Sequence, residues 1–131
     1  MKVYPWMKEL GIERGDLSAN WNPKDERQDG WKEERKKWGF DERDTWSLYS
    51  TIAVFVYPRL KMFKEYSCGY PCSETKESWN EKLDKMLDAF KIIIEEDRKE
   101  YGMSEEEREE GWRKVSEGLD LFAECFRGLW W

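Results

Sequence analysis

Between Trp79 and Ile94, apolar side chains recur every three or four positions: Trp79, Leu83, Met86, Leu87, Phe90, Ile93 and Ile94. That is the period of one face of an α-helix, sustained for about four turns. A stripe of this length is stable in water only when it packs on other apolar surface, so the rest of the chain has to supply partner helices. Thr75 stands where this helix needs an N-cap, and Gly102 where it needs a terminator. Ser104-Glu105-Glu106-Glu107 spells a capping box and opens a further helix. That helix carries Trp112, Val115, Leu119, Phe122 and Phe126 on one face, with Leu129, Trp130 and Trp131 closing the chain.

An earlier helix is expected to begin near Asp44 or at Ser47, with Trp46 and Leu48 at its start and Ile52, Phe55, Val56, Leu60 and Phe63 at helical spacing. Pro58 lies inside this pattern. Proline has no N–H and its ring crowds the preceding turn, so a kink or a division of the helix is expected there. Gly69 and Pro71 make Cys68–Ser73 a turn. Residues 44–131 therefore read as an all-α bundle of three long amphipathic helices, the first kinked at Pro58. Residues 1–43 read as an irregular arm that lays Trp6, Trp21, Trp31 and Trp38 onto the body, with a short polar helix from Lys24 to Trp38 bounded by Gly39.

A chain of 131 residues is one domain by length and long enough to bury a core without a disulfide or metal. Charged residues make up 40% of it, which alone would suit a disordered chain, yet 16% is aromatic, with nine Trp. Disordered segments carry few aromatics, so the chain is globular. Its net charge of −6 argues against a general grip on nucleic acid, which needs basic surface to displace phosphate counterions, and against an anionic membrane surface. The apolar run Ile52–Tyr57 is far too short to span a bilayer. Met1–Leu10 shows no basic segment leading into an apolar run, so a cytoplasmic protein is expected.

The chain has no histidine. Triads of the Ser-His-Asp and Cys-His kinds, and every zinc site that uses His, are thereby excluded. The three cysteines, Cys68, Cys72 and Cys125, have neither the spacing of a redox motif nor the number for a four-ligand metal site, and free thiols are expected.

Two groups of residues carry the remaining chemistry. Arg59, Lys61 and Lys64 lie around Pro58 with Tyr57, Tyr66 and Tyr70 nearby. Guanidinium and ammonium groups beside aromatic faces suit an anionic, nucleotide-like ligand. The plainer reading pairs Arg59 with a helix acid such as Asp84 or Asp120. The second group is acidic. Glu81 with Asp84, and Glu117 with Asp120, each place two carboxylates one turn apart, and the two pairs lie on different helices. Brought together, they would hold Mg²⁺. The pattern is similar in part to that of the all-α nucleotide pyrophosphohydrolases. It departs from theirs in lacking a doubled Glu at Glu81 and in the spacing of Glu95-Glu96-Asp97-Arg98-Lys99-Glu100. The plainer reading is a solvated charged face. Trp79 and Trp112, at helical spacing, are expected in the core, and the Trp130-Trp131 end offers either burial or a seam for a homo-oligomer.

Trp38-Gly39-Phe40, Asp44-Thr45-Trp46-Ser47-Leu48 and Pro58-Arg59-Leu60-Lys61-Met62-Phe63-Lys64 together resemble a family of small bacteriophage proteins of unknown function. Gly69-Tyr70-Pro71, Trp79-Asn80-Glu81-Lys82-Leu83-Asp84-Lys85-Met86 and Glu117-Gly118-Leu119-Asp120-Leu121-Phe122 extend the likeness over residues 38–131, as do Phe126 and Trp130. Tyr49 stands where that family carries an Asp. The resemblance implies a phage setting, hence a host-cell cytoplasm, and no particular reaction. The expectation is a non-enzymatic binding protein without a cofactor that sequesters a small anionic signal in counter-defence. The alternatives are a protein–protein inhibitor or virion-associated protein, with a host or phage protein as partner, and a Mg²⁺-dependent hydrolase.

Overall fold

The computed structural model describes residues 24–96 and 103–130. The expectations for Trp6, Trp21, Gly102 and Trp131 lie outside the described residues. Among those described, the chain is all-helical, with helices α1 (Gln28–Trp38), α2 (Leu48–Tyr66), α3 (Lys76–Glu96) and α4 (Glu105–Cys125). Short 3-10 turns occupy Glu42–Thr45 and Phe126–Gly128. The chain divides into two compact units, Met1–Phe55 and Val56–Trp131, with α2 shared between them.

In the first unit, α1 ends as its composition predicts. Gly39 takes the left-handed conformation (φ 82°) that a side chain would strain, and its N–H donates to the Arg35 carbonyl at 2.8 Å. The extended Asp41 then caps the 3-10 turn, its carboxylate accepting from the Arg43 backbone N–H at 3.0 Å. Trp31 is the buried centre of this unit. Its indole N–H donates to Glu42 Oε1 at 2.8 Å, and its ring meets Trp46 edge to face with centroids 5.7 Å apart. The guanidinium groups of Arg43 and Arg27 stand 4.6 and 4.8 Å from the Trp31 ring centre. The buried Asp41 accepts from Arg43 Nη2 at 2.7 Å and from Arg35 Nε at 3.0 Å. An aromatic ring surrounded by ion pairs thus does the work that aliphatic side chains do elsewhere.

Helix α2 starts directly after Ser47, whose carbonyl accepts the Thr51 N–H at 3.1 Å, and Asp44 belongs to the 3-10 turn before it. Of the two outcomes expected at Pro58, division does not occur: α2 continues through it. A proline there costs a backbone hydrogen bond. Tyr57, Pro58 and Leu60 are all buried, and that burial offsets the loss.

The second unit is built on α3. Thr75 and Ser78 cap its start reciprocally: Thr75 Oγ1 accepts the Ser78 N–H at 3.0 Å, and Ser78 Oγ accepts the Thr75 N–H at 2.9 Å. Every member of the Trp79–Ile94 stripe is buried, as its period requires. Helix α4 begins with Ser104 Oγ accepting the Glu107 N–H at 3.2 Å. It packs on α3 through Val115, Gly118 and Phe122; the Phe90 and Phe122 rings meet edge to face at 5.1 Å. The final turn then brings Gly128 against Pro71 and the Trp79 ring.

One expectation is corrected here. Trp112 is not in the core: it is 57% exposed, and Leu119 and Phe126 on the same stripe are 39% and 60% exposed. Ile52 and Phe55 on α2 are exposed as well. The reason is geometric. At about 100° per residue, Leu119 lies roughly 100° around α4 from Gly118, at the edge of what a single packed neighbour covers.

Candidate functional site

The uncovered part of α4 is the most unusual surface in the second unit. Trp112, Leu119 and Phe126 recur at a spacing of seven, and Ser116 and Ala123 fall between them, giving steps of four and three along the helix. At about 100° per residue these five side chains span about 80° of the helix circumference. All five are exposed, and Trp130 beyond them is 77% exposed. The neighbouring arc, with Val115, Gly118 and Phe122, is the one packed towards α3. Phe126 is further positioned by Phe122, whose ring it meets edge to face at 5.5 Å. Charged residues flank the stripe: Glu109, Arg113, Asp120 and Arg127 are all exposed, with Arg113 held by Glu110 at 2.7 Å and Glu117 at 3.4 Å.

The basic and aromatic residues around Pro58 are divided between two sides of α2. At about 100° per residue, Tyr57, Lys61 and Lys64 share one side, with Arg59 and Tyr66 roughly opposite. Tyr57 is buried, and burial pushes its hydroxyl pKa upward. Lys61 stands over the Tyr57 ring at 5.7 Å, and Lys64 pairs with Asp84 on α3. Tyr66 and Tyr70 are exposed.

The acidic residues are largely engaged with bases. Asp84 accepts from Lys64, and Glu117 accepts from Lys85 at 2.7 Å as well as from Arg113. The hydrogen bond from Lys85, helped by Arg113, holds the Glu117 carboxyl below its usual range. Glu81 and Asp120 are exposed. Among the described residues, no three acidic or cysteine side chains converge in a way that could hold a metal ion.

A cleft of about 250 Å³ lies where the Pro71–Glu74 turn, α3 and the C-terminal turn meet, lined by Trp79, Lys82, Glu124 and Cys125 among others. Lys82 and Ser78 both bond Glu74 at its edge, so these polar groups satisfy one another. Burial raises the Cys125 pKa and keeps it a thiol, which is the unreactive form. Cys68, Cys72 and Cys125 are all free, as expected.

The sequence contained a signal for the α4 surface. An arc running from Gly118 through Val115 and Phe122 to Leu119, Trp112 and Ala123 is wider than the groove of one partner helix fills. No such signal marked the Arg35, Asp41 and Arg43 cluster, because ordinary surface charges share its composition. No family model matches the chain, and neither a curated protein nor a solved structure matches it. No helix among the described residues is long and apolar enough to cross a membrane.

Proposed function

We propose that this chain is a non-enzymatic binding protein that docks a helix of a partner protein along the exposed face of α4. One observation carries this reading: Trp112 and Leu119 on α4, and Phe126 in the turn that follows it, stand exposed at seven-residue spacing beside a face that is packed. Soluble proteins seldom leave contiguous apolar stripes uncovered unless something docks there. Anchors at helical spacing are how one helix recognises another, and aromatic side chains supply most of the energy in such contacts.

Sequestration of an anionic nucleotide-like signal has less support, because Lys64 is engaged by Asp84 and Arg59 lies across the helix from Lys61. Magnesium-dependent hydrolysis has less again, with Asp84 and Glu117 both held by bases.

Site-specific photo-crosslinking in the producing cell tests the docking reading. A crosslinking residue at Leu119 should give discrete protein adducts, while one at Glu110, on the far side of α4, should give none. Combined Trp112→Asp and Phe126→Asp substitutions should abolish the adducts. Equal labelling from both positions, or none from either, would overturn the reading.

A further inference from the structure

We infer that the helix received by this face is α4 of a second copy of the chain, running antiparallel. The inference rests on the docking reading and adds the identity of the partner. Its first ground is steric. Large and small residues alternate along the exposed stripe in the order Trp112, Ser116, Leu119, Ala123, Phe126. Two such stripes laid antiparallel about a point between residues 117 and 118 set Trp112 against the second copy's Ala123, and Leu119 against its Ser116. Trp112 and Leu119 each meet a small side chain, Phe126 falls opposite Glu109 of the second copy, and the two-fold axis repeats every contact. A parallel arrangement in register would set Trp112 on Trp112 and leave voids where Ser116 faces Ser116.

The second ground is charge. In the antiparallel register, Glu109 of one copy comes within one residue step of Arg127 of the other, and Arg113 within two steps of Asp120, all on the same flank of the stripe. Glu109, Asp120 and Arg127 are exposed. The parallel register instead brings together two sets of Glu105, Glu106, Glu107, Glu109 and Glu110, and like charges at such a distance repel. A mixed rim on one helix that matches its own reverse is what a self-complementary interface needs; a partner chosen for a uniformly acidic or basic rim would not find one here.

The exposed parts of Trp112, Phe126 and Trp130, at about 200 Å² for each whole side chain, supply roughly half of the ~800 Å² that a standard interface buries per side. Three side chains that fill only half of a standard interface point to a weak dimer, to be sought between about 1 µM and 1 mM.

Sedimentation velocity of the purified full chain over that range tests this. The mass should rise from one copy to two with concentration, and Leu119→Asp should hold it at one. Glu109→Arg alone and Arg127→Glu alone should each weaken association about tenfold, and the two together should restore it. Unchanged helicity by circular dichroism verifies that each variant is folded. Single reversals without effect, or a double reversal that fails to restore association, would overturn the antiparallel pairing. Wild-type protein that stays a monomer up to about 1 mM would overturn the second copy as partner. In that case an adduct from Leu119 to a different protein would still uphold the docking reading, so the two failures are separable.

Discussion

Gly118 on α4 lies so close to Ala89 on α3 that a Cβ at position 118 would stand 2.3 Å from the Ala89 Cβ and 2.5 Å from the Lys85 carbonyl oxygen. Neither neighbour is the flexible end of a side chain, so the helices would have to separate. Alanine favours a helix over glycine by about 1 kcal/mol, and overpacking a tight contact costs about 1–3 kcal/mol or more. Gly118→Ala is therefore expected to destabilise the second unit. Gly111, on the same helix, is the control: a Cβ there meets Glu96 and Ile92 only at 3.7 and 3.8 Å, ordinary contact distances. Gly111→Ala should be neutral to stabilising by up to about 1 kcal/mol. Urea denaturation should lower the midpoint of Gly118→Ala and leave that of Gly111→Ala unchanged or raised.

The stripes on α3 and α4 looked alike as patterns but differ in what covers them. Phe90 is fully buried against Phe122, so Phe90→Ala should cost about 3–5 kcal/mol. Trp112→Ala should change stability by less than about 0.5 kcal/mol when the protein is dilute enough to be free of partners. A large loss from Trp112→Ala, measured by chemical denaturation at low concentration, would return that side chain to the core and remove the docking surface with it.

Acid should loosen the first unit. Burial pushes the Asp41 carboxyl upward, but hydrogen bonds from Arg43 and Arg35 outweigh it and hold the pKa below the usual value. The folded state thus takes up this proton less readily than the unfolded state does. The stability Asp41 contributes is present above the ordinary Asp value of about 3.9 and is lost as pH falls through the depressed folded value. The Trp31 indole N–H signal, held by Glu42, should therefore broaden or shift below about pH 4. In Asp41→Asn that change should already be present at neutral pH, since removing one partner of a buried pair costs about 3 kcal/mol. Wild-type behaviour in the Asn variant would show that the cluster holds nothing together.

Legibility in the sequence followed the physics of each element. The stripe from Trp79 to Ile94 was legible because burial on one helix face imposes a period, and the Thr75 and Ser104 caps because few residue types satisfy the first free N–H groups. Gly39 marked the end of α1 for the same kind of reason. Periodicity reports which side chains share a face; it does not report whether another element reaches that face. Trp112 and Val115 carry the same signature, yet only Val115 faces α3. Ion pairing between distant residues leaves no local pattern either. That Lys64 would engage Asp84, or that Arg35 would meet Asp41 and Asp44, depends on the path of the backbone.

The same pairing decides how the acidic residues should respond to metal. A divalent cation at Asp84 or Glu117 has to displace Lys64, Lys85 or Arg113, and Glu117 is held in its charged form by the bases already there. A ligand that binds only the folded state must raise its melting temperature by mass action. Adding about 10 mM MgCl₂ should therefore leave the transition where an ionic-strength control puts it, since about 100 times Kd would give nearly 3 kcal/mol. Asp84→Asn should cost less than about 1 kcal/mol, because the pair with Lys64 is solvent-exposed on the Asp side. A Mg²⁺-specific rise in melting temperature that Asp84→Asn removes would mean that Lys64 yields its place to a metal, and the hydrolase reading would then regain its standing.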